Sequence, residues 1–170
     1  MKTITTRADF LAYALAIEEE ATERYAVFAD QMDTTNNPEV AALFREMERL
    51  EAEHARQIEE MIGKGDTPRL DPWDLDWGDE DAPEAVDYAD THYLMTPHHA
   101  LTLVLRAEQR AVEFFAAVAR DSDDPDVKRL AAEFADEERE HVERVMVWRN
   151  KFPPPEAGWD EDMDPPNALE

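Results

Sequence analysis

Glu-x-x-His occurs as Glu51 with His54 in "LEAEH" and as Glu138 with His141 in "EEREH". Glu18 and Glu108 stand in two further stretches that resemble each other, "AIEEEATERYAVFA" at 16–29 and "RAEQRAVEFFAAVA" at 106–119. A carboxylate and an imidazole three residues apart share one side of a helix. If all six side chains meet, they form a mixed oxygen and nitrogen donor set. That set suits iron, manganese or zinc better than calcium or magnesium. Charge points the same way. The four carboxylates, with neutral imidazoles, carry four negative charges, which two divalent cations neutralise. His92, His98 and His99 show no such spacing, and the latter two read as surface residues in the first turn of a helix.

Four segments with helical periodicity, at about 7–31, 38–63, 97–121 and 125–150, must carry these groups. Asn37-Pro38, Thr96-Pro97 and Asp124-Pro125 each read as an N-cap followed by proline in the first turn, and Gly63 fits a helix stop. "PEVAALFREMERLEAEH" at 38–54 lies over "PDVKRLAAEFADEEREH" at 125–141. Glu18 and Glu108 are 90 residues apart, whereas His54 and His141 are 87 apart. Two similar helical hairpins follow, with the three-residue difference expected in the turn. Residues 64–97, rich in Asp, Pro and Trp, read as a crossover that returns the chain to the end where the second helix began. Within it, "APEAVDYAD" at 82–90 reads as a short helix. The tail "KFPPPEAGWDEDMDPPNALE" is no regular helix. It is either disordered or docked through Phe152 and Trp159.

The apolar stripes fix which way the acids face. Glu18 lies between Ala14 and Ala21, Glu51 follows Met47, and His54 precedes Ile58. Glu108 fills the gap between Leu105 and Ala111, and Glu138 with His141 fills the gap between Phe134 and Val145. Each glutamate also lies 13 residues from the hairpin-turn end of its helix as read from the sequence. At ~1.5 Å per residue this puts all four near one level of a bundle. One such glutamate would be a tolerated edge residue, and one such histidine an ordinary core or surface residue. Six in a repeat at matched depth make a site. Buried without a counter-charge they would cost several kcal/mol each, and no Lys or Arg falls on the stripes at that level.

The 170 residues suit one domain. A net charge of −25 argues against nucleic-acid binding. The absence of cysteine excludes disulfides, thiolate metal sites and iron–sulfur clusters. No run approaches the ~18 apolar residues of a membrane span, and "MKTITTRADF" lacks the apolar core of a signal peptide. No membrane association and a cytoplasmic location are therefore expected.

"EEEATERY", "LEAEHARQ", "RAEQRAVEFF" and "EEREHVER" together resemble the ferritin-like di-iron carboxylate proteins, and most closely the rubrerythrin branch, over about residues 7–150. The resemblance implies an all-α, ferritin-like four-helix bundle at 1–151, with the crossover at 64–97 and a Pro- and acid-rich tail at 152–170. It implies two iron ions, with manganese or zinc as alternatives. Glu51 and Glu138 would bridge them, Glu18 and Glu108 would be terminal, and His54 and His141 would each cap one ion. The activity implied is oxidation of Fe(II) by O2 or H2O2, with an external electron donor to re-reduce the iron. Two departures stand out. The chain has no cysteine for the rubredoxin-type relay of rubrerythrins. It also has Ala111 where they carry an extra carboxylate three residues after the third-helix ligand. A metal-sequestering or metal-transfer protein without turnover remains an alternative. So does a metal-free module that binds through its acidic crossover or Trp159 tail. Trp73, Trp77 and Trp148 suggest an aromatic surface covered in a homodimer. Tyr25, on the Glu18 stripe, is expected to hydrogen-bond Glu108 across the bundle and so make the site asymmetric.

Overall fold

The computed structural model describes residues 4–63, 70 and 82–160. Among them are four long helices and no strand: α1 (Arg7–Thr34), α2 (Pro38–Ile62), α3 (Pro97–Asp121) and α4 (Pro125–Arg149). None is long and apolar enough to cross a membrane. Trp73, Trp77 and the last ten residues lie outside the described residues, as does half of the expected crossover, 64–69 and 71–81.

Local chemistry sets the helix ends. The Thr6 hydroxyl accepts from the Asp9 amide at 3.1 Å and donates to the Asp9 carboxylate at 2.8 Å. Thr96 accepts from the His99 amide, and Asp124 from the amides of Asp126 and Val127. These side chains satisfy amides that have no partner within the helix. Asn37 departs from the expected pattern. It makes no cap; its amide instead donates to the Met95 carbonyl at 2.8 Å and the Tyr93 carbonyl at 3.3 Å. The same bonds show that α2 and α3 begin at one end of the molecule, as the crossover requires.

The three-residue difference between the hairpins is a correction to the sequence reading. Both turns are three residues long, 35–37 and 122–124. The extra residues extend the end of α1 by nearly a helical turn. That helix closes with Asn36 at φ 60°, the Asn37 amide on the Met32 carbonyl and the Asn36 amide on the Asp33 carbonyl. This is the left-handed helix stop that asparagine tolerates better than most residues.

α1 packs along α2 and α3 along α4, and the two hairpins close on each other as a ferritin-like four-helix bundle. The core comes in two parts. One surrounds Phe28, Phe44 and Leu101; the other surrounds Phe10, Phe115 and Phe134, whose rings meet edge to face. Ile17 belongs to one part and Ala21 to the other. The same split falls between Met47 and Ile58, between Ala107 and Ala111, and between Ala135 and Val145. A polar layer thus cuts the apolar core at a single level.

Of the short helix expected within 82–90, only a three-residue 3-10 helix forms, at Tyr88–Asp90. The segment also has one tight turn, with the Ala85 amide on the Ala82 carbonyl. Its carbonyls are taken by arginine side chains, so its backbone needs no helix to satisfy it. Of the two fates open to the tail, residues up to 160 take the docked one. Phe152 and Trp159 pack on the core, and the Trp159 ring lies 4.3 Å from that of His99. His99 is therefore half-covered rather than a plain surface residue, and burial lowers its pKa.

Candidate metal centre

The polar layer consists of the six residues singled out by spacing. Glu18, Glu51, Glu108 and Glu138 are all buried; His141 is 9% exposed and His54 half-buried. They form two triads, Glu18–Glu51–His54 and Glu108–Glu138–His141. Within each triad one ligand atom per residue lies within 4.8 Å of the others. The triads match closely. His54 Nδ1 is 3.1 Å from Glu51 and 3.7 Å from Glu18; His141 Nδ1 is 2.9 Å from Glu138 and 3.6 Å from Glu108. The two imidazole rings stack at 4.5 Å and 4° from parallel, which brings the triads side by side. The sequence repeat has become an approximate two-fold arrangement of donors.

The electrostatics follow from crowding and burial. Burial pushes the carboxyls of Glu18 and Glu108 up to about 8; the neighbouring histidines oppose this, and the charges of Glu51 and Glu138 add to it. For the histidines burial works against the charged ring, yet the carboxylates beside them win. His54 is pushed up to about 11 and His141 to about 10. Without metal, the layer therefore holds protons near neutral pH in place of cations. One oxygen of Glu18 and one of Glu108 are buried with no hydrogen-bond partner. Orphaned buried oxygens of this kind are costly, and a cation removes the cost. The donor set, its charge and its orphan oxygens fit a pair of metal ions.

Two findings depart from the sequence reading. Tyr25 is buried among the core residues, and Glu108 is a main cause, after burial, of its raised pKa, but its hydroxyl has no hydrogen-bond partner. The expected bond to Glu108 is not made. The Glu108 carboxylate is turned to His141 instead, while the Tyr25 ring stacks on Phe44 at 6.0 Å. The second finding is a residue that spacing missed. Glu84, from the crossover, is 2% exposed and forms a further group of potential ligands with Glu18 and Glu138. The one sequence signal was local. Ala82, Ala85 and Val86 make a small apolar island in an acidic stretch, and all three are buried.

Fold and site together define a ferritin-like helical bundle with a carboxylate and histidine layer in its core. The chain belongs to the rubrerythrin family, whose model matches residues 9–147. It is also similar to the crystal structure of an uncharacterized conserved protein from Magnetospirillum magnetotacticum. The two share 41% identity and a TM-score of 0.67, covering 89% of this chain and 98% of that one. No curated protein matches the chain.

Proposed function

We propose that this protein is a non-haem di-iron carboxylate protein that oxidises Fe(II) with O2 or H2O2. The observation that carries the reading is the pair of matched Glu–Glu–His triads, buried side by side with orphaned oxygens. In this reading Glu51 and Glu138 would be shared between the ions, Glu18 and Glu108 would each bind one ion, and His54 and His141 would each cap one. Two Fe(II) held together supply two electrons to one oxidant. The protein's part is to fix the donors, to wall the layer with apolar side chains on both sides, and to give up protons as ions bind. His54, whose side chain is 22% exposed, stands at the wettest edge of the layer and marks the way in. Reduction of H2O2 to two waters would consume two protons along with the two electrons; the six ligands give theirs up as the ions bind, so these protons would come from solvent, which reaches the layer at the His54 edge. With no cysteine in its 170 residues, this chain relies on an external electron donor.

The test is anaerobic loading with Fe(II) followed by rapid mixing with O2 or H2O2. Two ions per chain and oxidation within seconds are expected. Glu51→Ala and Glu138→Ala should each disturb both ions, since each carboxylate is assigned to both. Tight binding of two Fe(II) that stay reduced would leave a sequestering protein. Failure to bind any metal would leave a metal-free module.

A further inference from the structure

We propose that Glu84, brought into the bundle by the crossover, is an additional metal ligand that makes the two metal positions unequal. The proposal rests on the di-metal reading above and extends it to a residue outside the four helices.

Glu84 is as buried as the helix ligands, and both its carboxylate oxygens lack a hydrogen-bond partner. Potential ligand atoms of Glu84, Glu18 and Glu138 lie within 4.8 Å of one another. A loop carboxylate in such a place needs a reason, because an unpaired buried charge is among the costliest features a fold can carry. Pairing with a base is the ordinary one, and two arginines stand close by. They bind the backbone on either side of it. Arg110 donates to the carbonyls of Pro83 at 3.0 Å and Ala85 at 2.7 Å, and Arg24 donates to that of Val86 at 2.8 Å. With Ala82, Ala85 and Val86 packed inside, these bonds clamp the segment and aim the carboxylate into the layer. The side chain is held in place, and neither oxygen is satisfied by the protein.

The grouping also says which ion Glu84 serves. It pairs with Glu18, the terminal carboxylate of the first triad, and with Glu138, the bridging candidate of the second. The ion beside Glu18 and His54 therefore gains one more protein donor than the ion beside Glu108 and His141. The second position is left more open. The helical repeat alone would make the two equal, and Ala111 offers no donor from α3. Asymmetry thus comes from the crossover rather than from Tyr25.

Co(II) is the probe, since its visible absorption reports coordination number and it needs no oxidant. Wild type and Glu84→Gln are titrated with Co(II) by absorption and calorimetry, and their melting temperatures are compared with and without metal. The wild type should bind two ions. In Glu84→Gln one ion should bind tenfold or more weakly, with stronger visible bands as its coordination number falls, and the other should be little changed. The metal-free variant should melt at or above the wild-type temperature, because an orphaned carboxyl is gone. Unchanged binding and spectra in Glu84→Gln would overturn the proposal. So would an equal loss at both ions with unchanged bands, which would make Glu84 a remote charge. A wild type that binds no Co(II) would overturn the di-metal reading and this ligand with it. Should Glu84→Gln fail to fold, Glu84→Asp keeps the charge, withdraws it by one methylene, and is judged by the same single-ion loss.

Discussion

At the residue scale the layer trades protons for metal, and the trade fixes how stability depends on pH. The carboxyls of Glu18 and Glu108 sit at about 8 in the folded, metal-free chain, against an ordinary 4.5. His54 and His141 sit at about 11 and about 10, against 6.5. In every case the folded state holds the proton more tightly than the unfolded state. Stability from these groups is therefore fully present below the ordinary values and lost as pH rises through the folded ones. The metal-free protein should lose stability steadily from pH 5 to pH 9. At about 1.4 kcal/mol per pH unit between the two values, the four groups together are worth on the order of 10 kcal/mol, so the melting temperature should fall by at least roughly 10 °C at about 2–4 °C per kcal/mol for a chain of this size. Metal binding needs the deprotonated ligands, so affinity should climb over the same range and the loaded protein should show no such fall. Melting curves at pH 5, 7 and 9, with chelator and with metal, check both halves. High salt separates the layer from the acidic surface, because it screens exposed charges and leaves the buried ones. A metal-free protein that gains stability from pH 5 to pH 9 would refute the protonated layer.

At the element scale, adjacent asparagines between α1 and α2 do opposite things. Asn36 holds the left-handed stop of α1, where glycine is less strained. Asn37 ties the start of α2 to the carbonyls before α3. Asn36→Gly should raise stability by up to about 1 kcal/mol, and Asn37→Ala should lower it by about 1–2 kcal/mol. Urea unfolding of the two variants decides the matter, and equal shifts in one direction would contradict the assignment. These residues also show what could be read in advance. The helices, their order and the six donors on them were legible because helical periodicity repeats, and a donor that breaks an apolar stripe is conspicuous. Asn37 was misread because cap statistics do not reveal a carbonyl 58 residues away. Glu84 was missed because a crossover has no period against which an inward residue can stand out. Arg24 and Arg110 clamp its segment from α1 and α3 by bonds to backbone carbonyls. The three-residue offset was visible, but its placement was not, since a longer helix and a longer turn give the same count.

At the scale of the whole molecule, the question is how a chain of charge −25 treats a second copy of itself. The outer face of α4 carries Val147, 64% exposed, beside Met146 and the partly buried Trp148. Val147 and Trp148 border a groove of about 830 Å³ between α2 and α4, whose lining includes Met47 and Leu50. The same groove is lined by Arg49, Arg144 and Lys151 and by Glu46, Glu140 and Glu143. An apolar centre with charges of both signs around it can complement itself across a two-fold axis. We therefore expect a homodimer built on this face, of about twice the 19.6 kDa chain mass. The salt dependence should be diagnostic. Net repulsion between two strongly acidic copies opposes pairing, so added salt should tighten the dimer. An interface held mainly by ion pairs would instead loosen. Val147→Glu should weaken association by tenfold or more while leaving the melting temperature of the monomer within a degree or two, because this side chain is mostly in water. Sedimentation at micromolar concentration and two salt levels measures all of this. A single species of chain mass at both would remove the dimer from the account and leave the groove as ordinary surface.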